Sequence, residues 1–197
     1  STKSFVLDVL ANRYFIQQDY AKSFLISNKL SSLENNPQIM LLDAIEAFHH
    51  RGDRNEWENY LLSQATDVGD VQPYLNYLYG IVYLTQGELD KASAAFSGTT
   101  HRPEFQLPSA IFGYNRIECF ECTDVMETDY LSDFDFIPET MNFEELSNTL
   151  ISLDNISRSK NKRSAKANYL LGNFFYNVCG GGYFRYVLRF NSDNGSD

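Results

Sequence analysis

The stretch "EAFHH" places Glu46, His49 and His50 within one helical turn, where residues three and four apart share a face. A Glu-x-x-His element is half of a carboxylate-bridged di-iron centre, and imidazole is the commonest metal ligand. No second Glu-x-x-His occurs, and the third histidine, His101, falls in a connecting segment, so the spacing predicts a polar surface lining without a metal. Cys119 and Cys122 in "CFEC" have the spacing of half a zinc site or of a redox pair. With no second pair, they are expected to be helix-packing thiols. Asp129, Asp133 and Asp135 supply closely spaced oxygen donors; counted from Asp133, Glu144 stands where a calcium loop wants its last acid, but Pro138 stands where it wants glycine. The expectation is an exposed acidic loop whose Tyr130, Leu131, Phe134 and Phe136 tuck onto the body or dock a partner. No Gly-x-Ser-x-Gly elbow and no phosphate-cradling glycine loop before a helix is present. The chain is therefore expected to be no enzyme, and to carry no cofactor.

Such residues need elements to hold them, and the composition says which kind. A chain of 197 residues with 43% hydrophobic residues can bury a sizeable core, and 28 Tyr and Phe side chains require packed partners. The longest apolar run, around Tyr77 to Leu84, falls far short of the roughly 20 residues of a membrane span, and no signal peptide is visible. Three cysteines are too few for a disulfide framework and favour a reducing, cytoplasmic compartment. The net charge of −10 is local: Ile117 to Ser157 holds eleven acids and no Lys or Arg, leaving 15 acids against 16 bases elsewhere. Nucleic acid is not expected as a partner, because phosphate binding needs clustered cations and the only cluster is Arg158, Lys160, Lys162, Arg163 and Lys166. That cluster is expected to match the acidic stretch internally.

A period of 34–35 residues runs through the chain. Tyr14, Phe48 and Tyr83 fall in register, as do Ala11, Ile45 and Gly80; Gln18, Gly52 and Gly87; Ser23, Trp57 and Ala92; and Ser27, Leu61 and Phe96. Each unit reads as helix, tight turn, helix, with apolar positions three and four apart. A hairpin of this size cannot bury its apolar face alone, so neighbours stack into a solenoid. Units are expected at about 4–34, 38–70, 73–100 and 107–157, followed by a final helix at 162–179 and a covering tail. Between Gly113 and Gly172 lie 59 residues, and the excess over one period is assigned to an acidic insert at 122–141, with "NFEELSNTLISLDNIS" (142–157) as the displaced second helix.

The segment "LYGIVYLTQGELDKASAAF" resembles a tetratricopeptide repeat: Gly80, Tyr83, Gly87, Leu89, Ala92 and Phe96 stand at six signature positions of that family. The resemblance implies an all-α, right-handed superhelical solenoid of antiparallel helix pairs, about four units with a C-terminal cap. It also implies a concave groove lined by the first helices, and hence a scaffold that binds a protein or peptide. By register that groove would carry Asn12, Phe15, Glu46, His49, His50, Tyr74, Tyr77, Ile81, Leu84, Tyr114, Glu118, Tyr169, Asn173, Tyr176 and Asn177. The family's clamp for a peptide's terminal carboxylate is not reproduced, since Asp8 and Glu46 have the wrong sign. A Tyr-rich groove also suits a glycan or another small molecule, the second functional class, and a metal-dependent enzyme on Glu46 and His49 or His50 is the third. In "CGGGYFRYVLRF" the glycines are expected to stop the last helix, and Tyr183, Phe184, Val187, Leu188 and Phe190 to cover the end of the stack.

Overall fold

The computed structural model describes residues 2–99, 105–113 and 130–188. It is all-α apart from one two-residue antiparallel pair, β1 (Leu107–Pro108) with β2 (Thr140–Met141), in which Leu107 faces Met141. The chain divides into two compact units, Ser1–Val82 with Gly98–His101, and Tyr83–Ser97 with Arg102–Asp197. Among the described residues no helix is long and apolar enough to cross a membrane. His101, Tyr114, Glu118, Cys119, Cys122, Phe190 and residues 122–129 of the acidic insert lie outside the described residues.

The first unit contains α1 (Thr2–Ile16), α2 (Tyr20–Leu25), a 3-10 helix (Leu30–Asn35), α3 (Ile39–His50), α4 (Glu56–Ala65) and most of α5 (Val71–Thr85). α2 is its hub, packing on α1, α3 and α4. Asp19 caps α2 by accepting from the Lys22 amide, and Asn55 and Glu58 form a reciprocal capping box on α4. Glu58 then does a second job. Its carboxylate, 6% exposed, meets Arg51 at 2.5 Å and Lys22 at 3.1 Å, and so joins α4 to α2 and to the α3–α4 turn. The Arg51 hydrogen bond first, then the Asn55 amide and Lys22, hold its carboxyl at about 2, below the ordinary 4.5. A depressed acid contributes stability that is complete above the ordinary value and lost as pH falls through the folded one. Glu58→Gln is therefore expected to lower the melting temperature at pH 7. The gap from the wild type should shrink between pH 4.5 and 2 in a thermal-denaturation series.

The second unit holds the end of α5, α6 (Leu89–Ser97), the short α7 (Ala110–Gly113), α8 (Phe143–Ser157) and α9 (Ser164–Val178). α8 is central here, packing on α6 and α9, while α7 packs on α9. It opens with a capping box of Asn142 and Glu145 and buries Phe143, Leu146, Leu150 and Leu153 on one stripe. Phe143 stacks on Phe96 of α6 at 5.1 Å and Phe112 on Phe174 at 5.6 Å between α7 and α9. Each of these fully covered side chains contributes about 1.5–3 kcal/mol.

The turn column of the repeat has a backbone signature. Gln18 (φ 62) and Gly87 (φ 74) both adopt the left-handed conformation after a first helix. The hydrogen bonds around them coincide: Gln18 N to Phe15 O and Asp19 N to Tyr14 O after α1, Gly87 N to Leu84 O and Glu88 N to Tyr83 O after α5. Gly52, in the same column, has no positive φ, and the α3–α4 turn runs on to Asn55 before the next helix starts. A left-handed glutamine carries a steric cost of about 1–2 kcal/mol that glycine escapes, offset partly by glycine's chain entropy. Gln18→Gly is thus expected to stabilise by about 0.5 kcal/mol. Gly87→Ala, where no atom lies within 4 Å of the added carbon, should destabilise by about 1 kcal/mol through conformation alone; chemical denaturation reads both.

Candidate functional site

Six of the groove positions derived from register are buried within their own units. In α5 the stripe Tyr74, Tyr77, Ile81 and Leu84 is core, at 0, 3, 4 and 0% exposure. The Tyr74 hydroxyl donates to the Leu30 carbonyl at 2.9 Å, fastening α5 to the 3-10 helix. These side chains sit at i, i+3, i+7 and i+10 and follow the period of a buried face; the polar positions of the same helix turn elsewhere. Asn173 and Asn177 of α9 are buried as well. Asn173 donates to the carbonyls of Phe112 and Gly113, and Asn177 to that of Ile111. Both amides are spent on the backbone of α7, where an unpaired carbonyl would cost about 1–3 kcal/mol. Asn12 and Phe15 on α1 are exposed, Phe15 edge-on to Tyr20 at 5.7 Å. Tyr169 and Tyr176 are about 40% exposed.

What the first unit does bring together is a polar lane between α3 and α5. Asp43, Glu46 and His50 stand at i, i+3 and i+7 on one helix, and Gln72, Asn76 and Tyr79 at i, i+4 and i+7 on the other. The Gln72 amide donates to Glu46 Oε1 at 2.6 Å and to Asn76 Oδ1 at 2.9 Å, while its carbonyl faces His50 Nε2 at 2.7 Å. A carbonyl only accepts, so His50 carries its proton on Nε2. The Asn76 amide donates to the Gly98 carbonyl. The Tyr79 hydroxyl lies 2.7 Å from Asp43 Oδ1 and 3.2 Å from Glu46 Oε2. Burial first, then the Asp43 hydrogen bond and the Glu46 charge, push the phenol far above its usual range, so it stays a donor. His49 adjoins the lane, its ring 5.2 Å from that of His50. Burial, then His50 and Arg54, lower its pKa, which favours the neutral ring, and its Nδ1 is buried without a partner.

The chemistry of the lane follows from its inventory. The amide hydrogens of Gln72, one from Asn76, the Tyr79 proton and the His50 Nε2 proton all have acceptors within the protein. Asp43 is exposed, and the Tyr79 hydrogen bond engages one of its two carboxylate oxygens. Such a surface takes a donor, a cation above all. Among the described residues no three His, Cys, Asp or Glu side chains are grouped to hold a metal ion. Glu46, His49 and His50 were the sequence's candidates for this region; Asp43, Gln72, Asn76 and Tyr79 were missed. Their signal was present as a polar stripe at helical spacing on the otherwise apolar α5.

No family model, curated protein or solved structure matches the chain.

In the second unit a cleft of about 500 Å³ lies between the first turn of α6, the last turns of α8 and the middle of α9. Its apolar lining is Leu89, Ile151, Leu171 and Phe175, and it also carries Lys91 paired with Glu88 and Arg158 paired with Asp154. Those two pairs are matched in place, and Asp90 adds one further acid to the lining.

Proposed function

We propose that the chain is a helical-repeat scaffold of the tetratricopeptide type that binds a protein or peptide segment, and that the α3–α5 lane docks a cationic side chain of that segment. The observation that carries it is the largely spent donor inventory beside the exposed Asp43, whose carboxylate the Tyr79 hydroxyl engages at one oxygen. Most lane donors are engaged internally, among them both Gln72 amide hydrogens, one of Asn76 and the Tyr79 hydroxyl, so an incoming lysine or arginine finds acceptors with little competition. The recurring left-handed turns at Gln18 and Gly87 support the repeat assignment. A half-exposed acidic lane also accounts for the missing carboxylate clamp, since it repels an acidic tail.

A displayed library of random peptides panned against the full chain tests it. The expected outcome is enrichment of Lys or Arg at fixed positions. Binding of the enriched peptides should weaken about tenfold in the Asp43→Asn, Glu46→Gln double variant, as loss of a charged contact worth about 1.4 kcal/mol implies. Equal binding to the double variant, or enrichment without basic residues, refutes the lane as the docking site.

A further inference from the structure

In the second unit, residues 130–137 lie as a strap across one face of α9. Asp133 Oδ2 is 2.5 Å from Lys166 Nζ, and Arg163 donates to the Asp133 carbonyl. The same two cations sit over the flanking rings, Lys166 5.2 Å from Tyr130 and Arg163 4.7 Å from Phe134. Tyr130 meets Tyr169 edge to face at 5.3 Å, and Leu131 closes on Gly113, where an added carbon would find it at 3.6 Å. Arg163, Lys166 and Tyr169 follow one another at intervals of three, so the strap follows a single helical face. Tyr169 is also one of the four α9 residues that the repeat register turns toward the groove.

We infer that this face of α7 and α9 is a peptide-docking surface that the chain fills with its own segment, and that it accepts partner segments of the same chemistry: an aromatic, two spacers, an aspartate and a second aromatic. The pattern is written in the strap, Tyr130-Leu131-Ser132-Asp133-Phe134, and read by two cations, an aromatic edge and a glycine. The inference rests on the reading of the chain as a peptide-binding scaffold but concerns the other unit and the opposite charge. The balance of forces makes the strap displaceable. Its ion pair is a third exposed on both sides, a class of contact that is individually weak, and Phe134 at 1% exposure is its one fully buried anchor. A segment held this way opens without unfolding the helices beneath it.

The probe is a fluorescent synthetic peptide of the strap sequence, YLSDFDFI, titrated against the full chain. Asp133→Ala, which frees the strap but not its seat, is expected to bind the peptide about fivefold more tightly than the wild type, because the open fraction rises when one partly exposed ion pair is lost. Adding Lys166→Glu to that variant should weaken binding at least tenfold. In the wild type, which needs no substitution, the hydrogen-bonded amides of Asp133, Phe134 and Ile137 should exchange faster than those of α9. Equal affinity of wild type and Asp133→Ala, indifference to Lys166→Glu, or strap amides as protected as α9 would each overturn the inference. A basic peptide captured by the α3–α5 lane in the same chain would show that the scaffold reading survives such a failure.

Discussion

Gly182→Ala is expected to destabilise the protein by about 3 kcal/mol, roughly 10 °C in melting temperature for a chain of this length. A Cβ at Gly182 would stand 2.2 Å from the Asn177 carbonyl oxygen and 2.4 Å from both the Asn177 carbon and the Tyr176 oxygen. Those are backbone atoms in the last turn of α9 and cannot rotate away. The close approach is what lets the chain double back: the Phe184 amide donates to Asn177 O at 2.8 Å, and Phe184, Val187 and Leu188 then become buried. Relief of the clash must open that hydrogen bond and expose those three side chains together. Gly180 and Gly181 face open space and have no left-handed φ. Their alanine variants are expected to stay within about 1 kcal/mol of the wild type, so differential scanning calorimetry of the three variants separates a required glycine from two tolerant ones. An equal response at all three positions would contradict the packing described.

Tyr74→Ala is expected to cost about 4 kcal/mol, and Tyr74→Phe about 1–2 kcal/mol. The first removes a completely buried ring; the second removes the hydroxyl that donates to the carbonyl of the buried Leu30. Tyr176→Ala, at 41% exposure, should change stability by no more than about 0.5 kcal/mol. Urea denaturation of the three variants decides the matter. A stability loss at Tyr74 as small as at Tyr176 would return Tyr74 to a ligand-facing surface, where the repeat register had placed it.

The contrast between those two tyrosines shows where reading the sequence stopped. Periodicity reports which residues of a helix share a stripe. It does not report which stripe is inside when both contain large side chains. On α5, Tyr74, Tyr77, Ile81 and Leu84 have the make-up of a binding face as much as of a core, and only the packing around them decides. The asparagines of α9 posed the same ambiguity. An Asn on a first helix suits a peptide backbone in a groove; it suits equally the carbonyls of a neighbouring helix, and Asn173 and Asn177 found those. The tail was partly foreseen: Phe184, Val187 and Leu188 are buried, Tyr183 is 54% exposed, and Phe190 lies outside the described residues. The charge match between the acidic stretch and the basic cluster was anticipated as a sum of charges, and among the described residues it takes form in Asp133 on Lys166 and Asp154 on Arg158.

By itself the sequence determined what depends on neighbours three and four residues away: the helical character, the buried spacing of Leu146, Leu150 and Leu153, and the recurrence of the turn at Gln18 and Gly87. These rest on local hydrogen bonds and local sterics, which a string of residues specifies directly. The tertiary structure alone decided the inward or outward sense of each stripe, the three-way pairing of Glu58 with Arg51 and Lys22, the assembly of the α3–α5 lane, and the seating of residues 130–137 on α9. Each of those depends on which surfaces lose water to one another across dozens of residues, and desolvation has no period in the sequence.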